Sequence, residues 1–154
     1  MKKKAEKATS RLNKAGQSLV EMALSLMVVL YILAGAVNFG MAYFSYVEIR
    51  DAAQEGVVYG SIHPPYSGDT AAIEHRIKIS ASTPVDLTGP NVTISVTAPE
   101  GPNAGNALLV TVKYQYPILL PFINLLIGTD PTCGSCIPLQ AKATGVILVD
   151  PPTP

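Results

Sequence analysis

The chain has 154 residues, 48% hydrophobic and 14% charged, with eleven Lys/Arg balanced by eleven Asp/Glu. Six of those cations (Lys2, Lys3, Lys4, Lys7, Arg11 and Lys14) precede Gly16 against Glu6 alone, and five follow it against ten acids. The part after Gly16 is therefore net acidic, which argues against nucleic acid as a partner, and its length leaves room for one modest domain beyond an apolar segment.

The first element is the basic head, residues 1–16, expected to be a leader peptide. It runs into Gly16-Gln17-Ser18-Leu19-Val20-Glu21 and then into 26 uncharged residues, 22–47. About 20 helical residues cross the roughly 30 Å hydrocarbon core, so a span over about 22–44 is predicted, with length left over. Positive flanks stay cytoplasmic, which places residues 1–16 inside and Glu48 onward outside the cytoplasmic (inner) membrane. An ordinary secretory signal fits less well, because its apolar region is about 7–15 residues and ends at a small-residue cleavage site. Asn38 and the small residues Ala34, Gly35, Ala36 and Gly40 suit close helix contacts within the span. Glu21 is a carboxylate one turn inside the apolar region, a costly position unless it is paired or held near the headgroups.

No proline occurs before Pro64. Past the span, Ile49, Ala52, Ala53, Gly56 and Val57 gather on one helical face and Glu48, Asp51, Gln54 and Glu55 on another. One helix is therefore predicted over 17–62, roughly 65–70 Å long at 1.5 Å per residue, ended by His63-Pro64-Pro65. Residues 63–150 read as an extracytoplasmic domain. In it Asp69 or Thr70 caps a second helix through Ser82, with Ile73 and Ile77 one turn apart, and Pro84 stops it. Residues 91–98 alternate Val92, Ile94 and Val96 with Thr93, Ser95 and Thr97, a half-buried strand. A turn-rich connection over 99–106 leads to a second strand, 108–116, expected to pair with the first as a hairpin; 139–149 is the third strand. Residues 118–127 are apolar but too short to span and interrupted by Pro121. They are expected to pack on the sheet as a loop and short helix, or to touch the membrane or a neighbouring subunit. Residues 151–154 form a flexible tail. The fold class is α+β: a long N-terminal transmembrane and amphipathic helix, then a small antiparallel sheet with one short helix.

No catalytic signature is legible. His63 sits beside the Pro-Pro break, His75 lies on a polar helix face, and no phosphate loop or local nucleophile–base pattern is present. Neither an enzyme nor a cofactor is expected, and no metal site: zinc wants four ligands, and the two histidines are not at finger spacing from Cys133 and Cys136. Outside the cytosol thiols oxidise, so Cys133-Gly134-Ser135-Cys136 is expected to close a local disulfide, with free thiols and a redox pair as alternatives. Asn91-Val92-Thr93 fits a glycosylation sequon but falls inside a predicted strand.

Residues Gly16-Gln17-Ser18-Leu19-Val20-Glu21-Met22-Ala23-Leu24 resemble the type III leader of type IV-like prepilins, in which a membrane aspartyl peptidase cuts after the glycine. More narrowly, residues 16–60 resemble the TadE-like family of the tight-adherence (Tad/Flp) pilus system. The matching pieces are that leader, Val37-Asn38-Phe39-Gly40 and the run from Asp51 to Tyr59. Later, Val110-Thr111-Val112-Lys113-Tyr114, a Pro/Leu-rich segment and a closing Ala-rich strand fit the same likeness. The resemblance implies a non-enzymatic, single-pass minor pilin or pseudopilin of an adhesion or secretion apparatus. Its implied partners are membrane lipid, a prepilin peptidase, other pilin subunits and an inner-membrane assembly platform, in a homo- or hetero-oligomeric filament. It also implies processing between Gly16 and Gln17, and pairing of Glu21 with a neighbouring subunit's new amino terminus. An uncleaved anchored binding protein and the major filament subunit are the alternatives.

Overall fold

The computed structural model describes residues 2–65, 68–81, 85–118, 134 and 136–151, with side chains described from Gly16 onward. The chain divides into two compact units, Met1–Phe39 and Gly40–Pro154. Helix α1, Lys2–Ile62, contributes to both.

In the first unit α1 starts earlier than the sequence predicts, running through the basic head instead of beginning near Gln17. The reason is composition: Ala5, Glu6, Lys7, Ala8, Leu12, Lys14 and Ala15 are strong helix formers. Gly16 alone, at about 1 kcal/mol relative to alanine, does not interrupt them. Every large apolar side chain from Leu19 to Leu33 is exposed. A helix apolar on all sides needs an apolar surrounding, and no protein layer supplies one here.

In the second unit the helix changes character. Ser45, Ile49, Ala52, Ala53, Gly56, Val57, Gly60 and Ser61 are buried on one stripe, while Arg50, Asp51, Gln54 and Val58 stay exposed. Ser45 and Ser61 donate their hydroxyls to the carbonyls of Met41 (3.0 Å) and Val57 (2.8 Å), so the two polar groups on the stripe are satisfied by the helix itself. After Ile62 the helix closes with the His63 amide on the Tyr59 carbonyl at 2.9 Å, and Pro64 and Pro65 prevent another turn.

Helix α2, Ala71–Ser80, is shorter than predicted at its far end; Ser82 lies outside the described residues. Thr70 holds the N-cap position but its side chain makes no capping bond to the backbone; Asp69 does. The Asp69 carboxylate accepts the Ala71 amide at 3.0 Å, and the Thr70 hydroxyl donates to the Glu74 carboxylate at 2.6 Å. Ile73 and Ile77 are buried, as their spacing requires.

Three strands follow: β1 Val92–Thr97, β2 Ala107–Pro117 and β3 Cys136–Val146. They form an antiparallel sheet in the order β1-β2-β3, with Ile94 opposite Val112 and Val112 opposite Ala141. Strand β3 starts and stops about three residues earlier than predicted. Pro138 lies inside it, which an edge strand tolerates because one side of its backbone needs no partner. Past Val146 the backbone leaves the ladder: the Gly105 amide donates to the Ile147 carbonyl (2.8 Å), Ile147 to Asn106 (2.9 Å) and Leu148 to Ser61 (2.8 Å). Of the apolar segment 118–127 only Ile118 lies among the described residues.

The core joins Ile49, Ala52, Ala53 and Val57 of α1 to Ile73 and Ile77 of α2, Val85, Leu87, and Val110, Val112 and Ala141 of the sheet. Large residues on β2 face small ones on β3: Leu108 opposite Gly145, Val110 opposite Ala143, Val112 opposite Ala141. A methyl added at Gly56 would lie 2.5 Å from Ile77 Cγ1. One at Gly60 would collide with Leu108, and one at Gly145 with Val57. The glycine spacing 56–60, which on a membrane helix would suit a second helix, serves close packing within this unit. Overpacking such a contact costs about 1–3 kcal/mol, so Gly60→Val should lower the thermal midpoint of the detergent-solubilised protein. Gly35→Ala, where nothing lies within 4 Å of the new methyl, should not. Equal melting of the Gly60 variant and wild type would contradict the packing.

Candidate functional site

Gly16, Gln17 and Glu21 lie within two turns of α1 and are all exposed. Gln17 and Glu21 are four residues apart, so they share one helix face, with Cβ atoms about 5–6 Å apart. The surroundings of Gly16 are open, with nothing within 4 Å of where a Cβ would sit. Glu21 makes no salt bridge among the described residues and stands amid exposed Leu19, Val20, Met22 and Leu24. This places a lone acid where an apolar helix begins, next to an accessible small residue. Among the described residues one helix, Gly16–Ile62, is long and apolar enough to cross a membrane.

The remaining polar side chains of interest lie in the second unit. Cys136 opens β3 with its side chain buried and is not a free thiol; Cys133 lies outside the described residues. His63 stacks on Tyr59 with ring centroids 4.5 Å apart, and His75 is exposed on α2. Among the described residues no three His, Cys, Asp or Glu side chains converge on a point where a metal could bind.

Among the described residues of this unit, three groups titrate away from their ordinary values. The Thr88 hydroxyl and amide both donate to the Asp86 carboxylate, holding its pKa down. Burial raises the Tyr116 phenol. Burial also raises Tyr114, with smaller contributions from Tyr116 and the Asp86 charge. Tyr114 and Tyr116 meet edge to face at 6.5 Å at one end of β2; Tyr114 also lines an open groove of about 320 Å³ with Lys113, Gln115, Pro138 and Gln140, and Asp86 is exposed beyond the sheet.

Two features escape sequence reasoning. Arg76 on α2 donates through Nε (2.8 Å) and Nη2 (2.5 Å) to Glu55 Oε1 on α1, a pairing across 21 residues that no local pattern announces. Gly145 admits Val57 and Ser61 to the sheet; a glycine inside a predicted strand was the available signal.

No curated protein and no solved structure gave a significant match to the chain. Residues 16–57 match the family model described as TadE-like protein. They contain Gly16, Gln17 and Glu21, the exposed apolar helix and the first turns of the buried stripe, so the similarity to TadE-like proteins lies in this helical stretch.

Proposed function

We propose that the chain is a non-enzymatic, single-pass pilin-like subunit, a minor pilin or pseudopilin of a Tad-type apparatus, cut by a prepilin peptidase between Gly16 and Gln17. The observation that carries this is the placement of Glu21. An exposed acid stands in a helix stretch whose every other large side chain from Leu19 to Leu33 is apolar and exposed, five residues after a sterically open Gly16. A freestanding lipid helix has no use for a carboxylate there, since desolvating it costs a few kcal/mol on insertion scales. A subunit that docks through that end has one.

The cationic head lies in the cytoplasm and the chain from Glu48 onward lies outside the inner membrane. In that oxidising setting Cys133 and Cys136 pair, which pins the start of β3. Other pilin subunits and an inner-membrane platform receive the helix. The filament-facing chemistry is packing and charge, with no bond made or broken by this chain.

Intact-mass measurement of the native protein tests the processing. Loss of the first sixteen residues is expected, together with a gain of two hydrogens on reduction. A native population that keeps Lys2–Gly16 would replace the pilin-like reading with that of an uncleaved anchor. For orientation, an export-dependent reporter fused after Pro154 should be active; activity from a cytoplasmic reporter instead would invert the topology. Glu21→Gln removes the charge and keeps the shape. It should leave insertion and cleavage near wild type while reducing recovery of other pilins by about tenfold, the effect of a lost ion pair worth ~1.4 kcal/mol. Full partner recovery by a fully processed variant would remove Glu21 from assembly.

A further inference from the structure

The Gly40–Pro154 unit carries two charged surfaces of opposite sign on different layers. The three strands contain no Asp or Glu, and their only charged residues, Lys113 and Lys142, are exposed. Both stand on the sheet face that alternates away from the core, because Val112 and Ala141 beside them are buried. Lys113 is opposite Gln140 and Lys142 is opposite Thr111. The lysines are therefore diagonal neighbours, about 7–8 Å apart at Cα. Neither makes a salt bridge among the described residues.

The helical layer shows the complement. Glu48 and Asp51 lie one turn apart on α1, roughly 5–6 Å between Cβ atoms. With Glu55, Arg76 and Ser80 they line an open groove of about 300 Å³ between α1 and α2. Glu55 is engaged by Arg76; Glu48 and Asp51 have no salt bridge among the described residues. Arg50 lies between them in sequence, but neighbours at i+1 and i+2 do not face each other on a helix. Paired acids on one helix face and paired cations on adjacent strands each cost the free subunit a few tenths of a kcal/mol. Contact between the two surfaces relieves both costs.

We propose that the Lys113–Lys142 sheet face of one copy docks on the Glu48–Asp51 groove of a second copy. The signs are opposite, and long lysine side chains can reach both carboxylates from adjacent strands. A polyanion is a poorer occupant of the lysine face, because the chain after Gly16 carries ten acids against five cations and repels it at longer range. The two surfaces differ and lie on different layers, so the contact is head-to-tail and can repeat without closing. This inference rests on the pilin-like reading and deepens it by naming which faces of the outer domains meet.

The test uses the full chain in the membranes of producing cells, with a photo-crosslinking amino acid at position 140, between the lysines. Wild-type background should yield crosslinks to a second copy. Lys113→Glu with Lys142→Glu should reduce them about tenfold or more, as should Glu48→Lys with Asp51→Lys, because like charges then face each other. All four substitutions together should recover most of the yield, as a double-mutant cycle requires for a direct pair. Crosslinks to a different protein, yields indifferent to charge, or no recovery in the quadruple variant would each overturn the contact. Intact mass of the same samples separates the two claims. A chain cut after Gly16 with charge-indifferent crosslinks keeps the pilin-like reading and loses this contact; an uncut chain with recoverable crosslinks does the reverse.

Discussion

The close approach of α1 to its neighbours in the second unit is the constraint on which that unit depends. A helix ordinarily keeps its axis 8–10 Å from what it packs on, and Gly56, Gly60 and Gly145 remove the methyl groups that would hold it off. Ile77, Leu108 and Val57 fill the space thus opened, so a sheet of three strands and one ten-residue helix reaches a shared core. The taper on the sheet follows from the same need: bulk sits on central β2 and small residues on β3, where the helix lies close. The end of β3 then ties back to the helix through the Leu148 amide and Ser61 carbonyl. Without that approach each layer would have an apolar face and nothing to cover it, since so few strands are marginal alone.

The same helix solves a different problem before Gly40. A backbone in hydrocarbon must satisfy its polar groups internally, and uninterrupted α-helix does so whatever surrounds it. Chemistry along α1 can therefore switch from side chains apolar on all sides to one buried stripe without a change in backbone. The switch is written in composition: charge is absent over 22–47 and returns with Glu48, Arg50 and Asp51. The buried stripe resumes at Ser45 and Ile49.

Much of this was legible because each element carries its own period. The amphipathic turns from Ile49 to Ser61, the alternation of β1 and β2, and the cap at Asp69 are local patterns with local causes. What was missed is non-local or permissive. The head is helical because nothing in residues 2–15 forbids it, and a helix without a starting cap offers no signal of where it begins. Strand β3 begins at Cys136, before the predicted start at 139, and holds Pro138 because an edge strand can. The predicted strand ran on through Ile147, Leu148 and Val149, but Asn106 and Ser61 claim the amides of Ile147 and Leu148. The Arg76–Glu55 bridge unites groups whose proximity exists only once α2 lies on α1. Charge, spacing and the resemblance single out Gly16, Gln17 and Glu21 in the sequence; that all three are exposed needed the structure.

On the proposed cleavage, the geometry of α1 makes processing more than the removal of a signal. While the helix continues upstream to Lys2, the amides of residues 17–20 have intrahelical acceptors, and Glu21 sits in mid-helix among apolar neighbours. A cut after Gly16 removes those acceptors. It leaves the three amides of residues 18–20 without partners, the positive end of the helix dipole and, in place of the Gln17 amide, a new ammonium group, all at one point. The Gln17 amine and Glu21 carboxylate share a face, but one helix turn spreads them, and the orphan amides point along the axis away from their own chain's acid. A carboxylate from a neighbouring subunit can approach along that axis and meet donors, dipole and ammonium together. The uncut chain offers none of the three. Assembly would then be conditional on proteolysis because the cut creates the only positive site at that depth, and Glu21 is the one side chain in this stretch of α1 able to answer it.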